Sequence, residues 1–125
     1  MEKHFDIDSF LCERDVNEFK VPLKRLTLTV KMPSAEQRLR LMDKHVYSSY
    51  KVLDSGEMQF TAHILALAID MINFVTGWTG VKGEFSKDKA RNYLGHDDAE
   101  AFAFGTLCLA ALQDRVIEDQ EETKN

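Results

Sequence analysis

A strict alternation of apolar and polar side chains near the N-terminus is the feature that most restricts the fold of this chain. Over residues 23–32 the apolar positions are Leu26, Leu28, Val30 and Met32, and the polar positions are Arg25, Thr27, Thr29 and Lys31. A period of two residues puts these sets on opposite faces of a β-strand, one of them buried. Because a strand needs a partner, we expect residues 10–12 or 19–21 to pair with it in a hairpin or small meander.

A first helix follows the strand. Pro33 ends the strand, and Ser34 with Gln37 three residues later predicts a capping box at the start of the helix. The apolar stripe expected to face the core is Leu39, Met42, Val46, Tyr50 and Leu53, with Arg38, Arg40 and Lys44 on the solvated side. Residues 54–56 are expected to break this helix.

A second helix is predicted over residues 57–76, and it is apolar over most of its circumference. Its polar positions share one narrow stripe with Ala66, and they are Gln59, His63, Asp70 and Asn73. A helix of this kind is usually central, with neighbours on several sides. Gly77 is expected to end it, and Trp78, the sole tryptophan, is then predicted to lie in a turn.

Two more helices complete the predicted fold. Ser86 can cap a short helix over residues 87–94, with Asp88 favourable in its first turn. A fourth helix over residues 98–119 is rich in small residues, which permit close approach of a neighbouring helix. We therefore expect an α+β fold, mainly α with a small N-terminal β hairpin or meander and about four helices.

The length of 125 residues fits a single domain spanning residues 1–125. Within it we expect a β-rich N-terminal part at residues 1–33, a helical body at residues 34–117, and an acidic, flexible tail at residues 118–125.

Charge and hydropathy favour neither a nucleic acid nor a membrane as partner. The formal net charge is -5, whereas neutralising phosphates requires clustered Lys and Arg, and the basic residues between Lys20 and Lys31 are spread along the predicted strand. The longest apolar segment, residues 64–75, is interrupted by Asp70 and Asn73 and is too short to span a bilayer.

The cysteines and the N-terminus favour a cytoplasmic setting. Cys12 and Cys108 form no disulfide or metal-binding pattern, and the first residues do not resemble a signal peptide. Cys108 lies in an apolar run, as a small core residue would.

No set of residues in the sequence predicts a catalytic, cofactor-binding or metal-binding site. His63 and Asp70 are seven residues apart, whereas a metal pair on a helix needs ligands three or four apart. The acidic residues after His96 are where a helix N-cap is expected. We therefore expect a protein that is not an enzyme, and an enzyme using His63, Asp70 and His96 would need these groups to converge on one pocket.

Contacts with other proteins are the remaining class of function. The apolar surface of the second and fourth helices is generous for a body of this size, and part of it is expected to meet another chain. The candidate contact residues are Trp78, Phe74, Phe85, Phe102 and Phe104. The small residues of the fourth helix also allow a homo-oligomer, although close packing within one chain explains them as well.

A family resemblance is carried by a Trp-x-Gly-Val turn followed by a Phe-Ser helix start. The phrases in this chain are Gly77-Trp78-Thr79-Gly80-Val81, Gly83-Glu84-Phe85-Ser86 and Asn92-Tyr93-Leu94, and upstream Phe19-Lys20-Val21-Pro22, Leu26-Thr27-Leu28 and Pro33-Ser34-Ala35-Glu36. Over about residues 19–95 the chain thereby resembles the tail-assembly chaperones of long-tailed bacteriophages.

The resemblance implies a non-enzymatic role in virion assembly in the host cytoplasm. Such chaperones bind the helical tape-measure protein and the tail-tube protein and leave before the virion is complete. The alternative is a structural virion protein, such as a head–tail connector or a tail completion protein, which would remain in the particle.

Overall fold

The computed structural model describes residues 4–9, 17–46 and 57–123. Residues 7–9 are helical, and the larger elements follow in chain order. They are β1 (Glu18–Pro22), β2 (Thr27–Lys31), α1 (Ala35–His45), α2 (Glu57–Met71), a 3-10 turn (Ile72–Phe74), β3 (Val75–Thr79), α3 (Lys87–Gly95) and α4 (Asp98–Thr123). The expected fold class is confirmed, since helices of more than one turn dominate the described residues beside one small antiparallel sheet.

The sheet has the order β1-β2-β3, with both neighbours antiparallel to β2. The predicted alternation is confirmed, because Leu28 and Val30 are buried on the inner face while Lys31 is exposed on the outer one. Of the two partners considered, residues 19–21 pair with β2, with Val21 opposite Leu28. Residues 10–12 lie outside the described residues.

The third strand is a correction to the sequence prediction. The second helix does not run to residue 76, since α2 ends at Met71 and the chain then enters the sheet, where Trp78 pairs with Leu28. Trp78 therefore lies in a strand and not in a turn. The physical reason is the β-branched and aromatic content of Val75, Thr76, Trp78 and Thr79, which suits a pleated surface. The sheet is thus completed from within residues 34–117.

Helix α1 begins as predicted but buries a different face. The Ser34 hydroxyl accepts from the Gln37 backbone N–H at 3.2 Å, and the Gln37 side chain accepts from the Ser34 N–H at 2.9 Å. The predicted stripe is wrong at Leu39, which is 64% exposed, and Arg38 is buried, with its guanidinium donating to the Pro33 carbonyl at 2.8 Å. The buried residues of α1 are Arg38, Leu41, Met42 and His45, so two of the four are polar. Tyr50 and Leu53 lie outside the described residues.

Helices α2 and α4 form the main helical contact, and a glycine sets their separation. A Cβ atom added at Gly105 would lie 2.5 Å from the Ile64 carbonyl oxygen and 3.3 Å from the Ala68 Cβ. The predicted close approach at small residues of the fourth helix is therefore made within the chain.

The caps of the last two helices agree with the sequence prediction. Ser86 accepts from the Lys89 N–H at 3.3 Å at the start of α3, and Asp97 accepts from the Glu100 N–H at 3.2 Å at the start of α4. Helix α4 continues to Thr123, past the predicted end at residue 119, while the flexibility of the tail stays a prediction.

One hydrophobic core joins the sheet to the helices. It contains Val21, Leu28, Val30 and Val75 from the sheet, Leu67, Met71 and Ile72 from α2 and the turn after it, and Phe104, Cys108 and Leu112 from α4.

Candidate partner-binding surface

The environment of Trp78 ties its side chain to its own chain. The indole N–H donates to the Gly83 carbonyl at 3.2 Å, and the ring meets Phe85 edge to face, with centroids 5.1 Å apart and an interplanar angle of 80°. The segment after β3 therefore folds back against the tryptophan. The indole N–H and the ring of Trp78 thus both contact residues of its own chain.

The five aromatic residues named as candidate contacts differ in how far they are buried. Trp78, Phe74 and Phe85 are half-buried and pack against the core. Phe104 is 0% exposed and fills the core, so its burial removes it from the candidate contact residues. Phe102 is half-buried and lies outside the core cluster, so it stays a candidate contact residue.

An uncharged apolar surface lies on α2, where the sequence predicted surplus apolar area without naming the residues that form it. We define the α2 outer face as Ala62, Leu65, Ala66 and Ile69; Ala62 is exposed, Leu65 and Ala66 are half-buried, and Ile69 is 61% exposed. Ala62, Ala66 and Ile69 lie across the helix from Ile64, Leu67, Ala68 and Met71, which face the core. Leu65, at the margin of this face, also packs against the core. The sequence did carry a signal for this face, because Ile64, Leu67, Ala68 and Met71 recur at the 3.6-residue helical period. The sequence analysis did not distinguish this set from the other apolar residues of the helix.

Other large apolar side chains are exposed on the N-terminal segment, on α1 and on α4. They are Phe5 and Ile7 near the N-terminus, Leu39 on α1, and Leu107, Val116 and Ile117 on α4. Isolated exposed apolar residues are ordinary on soluble domains. The α2 outer face differs because its members are contiguous along one helix and none of them is charged.

Asp70, one of the polar residues of the stripe predicted on α2, contacts helix α1. Asp70 Oδ2 lies 2.5 Å from His45 Nε2 and 3.0 Å from Lys44 Nζ, so the carboxylate joins the last turn of α1 to α2. The His45 side chain is 4% exposed and that of Asp70 is 29% exposed. Because an ionised carboxylate only accepts hydrogen bonds, the Nε2 nitrogen carries a proton here.

These contacts decide the charge state of Asp70. Burial acts to raise the pKa of its carboxyl, but the hydrogen bonds from His45 and Lys44 outweigh burial and hold the pKa below its ordinary value. Asp70 is therefore an ionised group that fastens two helices.

The remaining titratable groups considered for chemistry are separate. His96 Nδ1 lies 2.7 Å from the Asn92 carbonyl oxygen at the end of α3, while Asp70 contacts α1. Burial raises the pKa of the free Cys108 thiol far above its ordinary value, which suppresses its nucleophilicity. Among residues 4–9, 17–46 and 57–123, no group of three or more His, Cys, Asp or Glu side chains could hold a metal ion. Within the same residues, no helix has the length and apolar character needed to cross a bilayer.

A second polar cluster lies where the β1–β2 turn meets α4. Glu100 is 6% exposed, and its carboxylate accepts from the Lys24 backbone N–H at 3.2 and 3.4 Å, while Arg25 approaches Asp97 to 3.8 Å. Burial, aided by the nearby Glu100 carboxylate, raises the pKa of the Tyr93 phenol. These groups hold the hairpin turn against the helix.

Comparison of the chain with models of known protein families, with curated proteins and with solved structures gives no match.

Proposed function

We propose that this chain is a non-enzymatic assembly chaperone for the tail of a long-tailed bacteriophage, acting in the host cytoplasm on the tape-measure and tail-tube proteins. The observation that supports this most directly is the α2 outer face, on which Ile69 is 61% exposed and no residue is charged. The resemblance over about residues 19–95 supplies the identity of the client.

The chemistry of the α2 outer face suits a helical client. Ala62 and Ala66 are one turn apart and short, so a second helix can come close to the α2 backbone there. Ile69, on the next turn, then supplies apolar area to the contact. A tape-measure protein presents long apolar helices before the tail is built, and this is the kind of surface that an amphipathic helix covers.

A role without catalysis agrees with the placement of the titratable groups. Asp70, the carboxylate considered for chemistry, is used by Lys44 and His45 to join two helices. His96 contacts its own helix end through Asn92. Asp70 and His96 therefore contact different parts of the chain and do not form a common site.

Co-expression with the tape-measure protein encoded by the same genome tests the proposal. We expect the chain to co-purify with it and to raise its soluble yield. Ile69→Glu should lower the co-purified amount at least tenfold, because a carboxylate would be buried against an apolar helix. Leu39→Glu is the matched control, since Leu39 is similarly exposed but lies on α1 and is not part of the α2 outer face.

Three results would contradict the proposal. The first is equal loss of the client with both variants, and the second is that the unaltered protein captures no client. The third is the presence of the chain in purified mature virions by mass spectrometry, which would make it a structural component such as a connector or completion protein.

A further inference from the structure

The side of α2 that carries the outer face ends at Asn73. This residue follows Ile69 by four positions, as Ala66 follows Ala62, so it lies on the same side of the helix. Asn73 is exposed and belongs to the turn that directly follows α2. The apolar surface therefore ends at an exposed polar residue, at the point where the helix itself ends.

Two basic side chains of α3 meet Asn73. Lys87 Nζ donates to the Asn73 backbone carbonyl at 3.0 Å, and the Arg91 guanidinium donates to the Asn73 side-chain oxygen at 3.4 Å. Lys87 and Arg91 are both exposed. Two cations thus lie together on the surface at the C-terminal end of the α2 outer face, each bonded there to an uncharged oxygen.

The charge at this end of the face is positive. Arg91 pairs with Asp88 at 3.3 Å, but the Asp88 side chain is 91% exposed, so solvent screens the pair. The Lys87 amine donates to a carbonyl oxygen, which carries no net charge. The carboxylate nearest along α2, Asp70, is compensated by Lys44 at 3.0 Å. A basic spot is therefore placed beside the apolar face, in a chain whose formal net charge is -5.

The direction of a helix bound to this face follows from the end of α2 at which the cations lie. The C-terminal end of a helix carries a partial negative charge and the N-terminal end a partial positive one. A helix lying antiparallel to α2 puts its N-terminal end beside the C-terminal end of α2, where the two dipoles attract. Asp and Glu are favoured in the first turn of a helix, and there they would face Lys87 and Arg91.

We propose that the α2 outer face binds an amphipathic client helix antiparallel to α2. The apolar side of that helix covers Ala62, Ala66 and Ile69, and its acidic first turn pairs with Lys87 and Arg91. This inference rests on the proposed function, because it names the chemistry of the client segment that the same face takes. The two cations select the occupant, since charge complementarity fixes the direction and the partner of a contact that apolar area alone leaves open.

Two synthetic peptides of identical composition test the direction of binding to the full chain. Each is an amphipathic helix of about 20 residues, with Leu and Ala on one side and uncharged polar residues on the other. One peptide has two Glu in its first turn, and the other has them in its last turn. Calorimetric titration should give an about fivefold lower Kd for the acidic first turn, and ~0.5 M salt should reduce this difference. Equal Kd values at low salt would overturn the proposal.

Charge reversal in the chain tests the two cations. Lys87→Glu with Arg91→Glu should abolish the preference for the acidic first turn. A third peptide, with two Lys in its first turn, should bind this variant about fivefold more tightly than it binds the unaltered chain. The matched control, Lys82→Glu with Lys89→Glu, makes the same change of charge at exposed residues of the same segment and should keep the preference. Circular dichroism should show both variants folded, and equal effects of both would overturn the proposal.

Ile69→Glu separates this inference from the proposed function. It should abolish binding of the peptides, because a carboxylate would be buried against their apolar side. Binding that is lost in Ile69→Glu but unaffected by Lys87→Glu with Arg91→Glu overturns the antiparallel acidic helix and leaves client capture by the α2 outer face standing. A chain that self-associates, and loses this association in Ile69→Glu, would make the occupant a second copy and also overturn the inference. Failure to capture the tape-measure protein contradicts the proposed function instead.

Discussion

At position 105 the absence of a side chain sets how closely two helices approach. Gly105→Ala would place a methyl group 2.5 Å from the Ile64 carbonyl oxygen, and a backbone atom moves only with its helix. Alanine favours a helix over glycine by about 1 kcal/mol, but the forced separation of α2 and α4 outweighs this gain. We expect a net loss of about 1–2 kcal/mol in the free energy of unfolding, measured by urea denaturation.

The control for this prediction is Gly95→Ala at the end of α3. A Cβ atom there meets nothing within 4 Å, and the φ of Gly95 is not positive. This variant should be as stable as the unaltered protein or slightly more stable. Equal losses from both substitutions would show that glycine flexibility, and not the helix contact, is responsible.

The carboxylate of Asp70 makes a pH-dependent contribution to stability. Because its pKa in the folded protein is lowered, folding favours the ionised form, and the resulting stability is present above the ordinary carboxyl pKa and lost as pH falls through the folded value. Asp70→Asn should cost about 1–3 kcal/mol at pH 7, since His45 loses its ionised acceptor.

The difference between Asp70→Asn and the unaltered protein should shrink below pH ~4. Urea titrations at several pH values measure it. Asp43→Asn, on the exposed side of α1, should change stability by less than about 0.5 kcal/mol. A difference for Asp70→Asn that stays constant with pH would contradict the assignment of the stabilising form.

Among the elements, the β1–β2 hairpin contacts α4 through the buried carboxylate of Glu100. Glu100→Ala removes the acceptor of the Lys24 N–H and should cost about 1–3 kcal/mol, with faster exchange of the Lys24 amide. Glu100→Gln keeps an acceptor oxygen and should lose less. Unchanged exchange at Lys24 in Glu100→Ala would show that the turn is held by other contacts.

The elements also show how far local sequence patterns reach. The capping box could be predicted because Ser34 and Gln37 are only three residues apart. The strand β2 could be predicted because a single period of two residues runs through all of it. The strand at Val75–Thr79 was missed because the apolar residues Ile72, Phe74 and Val75 that follow α2 also suit a helix, so periodicity alone could not separate helix from strand.

The buried face of α1 was missed for a different reason. His45 is buried because Asp70 of α2 accepts from it, and that partner lies far away in the sequence. Leu39 is exposed because the face of α1 that carries His45 is the one that is buried. The α2 outer face likewise became visible only once the side of the helix covered by α4 was known.

At the scale of the whole molecule, α2 presents one apolar side to the core and another to solvent, with Leu67 on the first and Ile69 on the second. Ile69→Gln should change the free energy of unfolding by less than about 0.5 kcal/mol, because its side chain already meets solvent. Leu67→Ala, two residues away and 1% exposed, should cost about 2–5 kcal/mol. Thermal and urea unfolding measure both, and a large loss for Ile69→Gln would assign Ile69 to the core.

The order of the strands bears on how the protein is made. The first two strands are adjacent in the sequence and can form a hairpin while the chain is still being synthesised, whereas the third is separated from them by α1 and α2. Until that third segment leaves the ribosome, the middle strand has a neighbour on one side only. The nascent polypeptide can therefore hold a two-stranded sheet first, and the last strand to arrive occupies the remaining side of the middle strand.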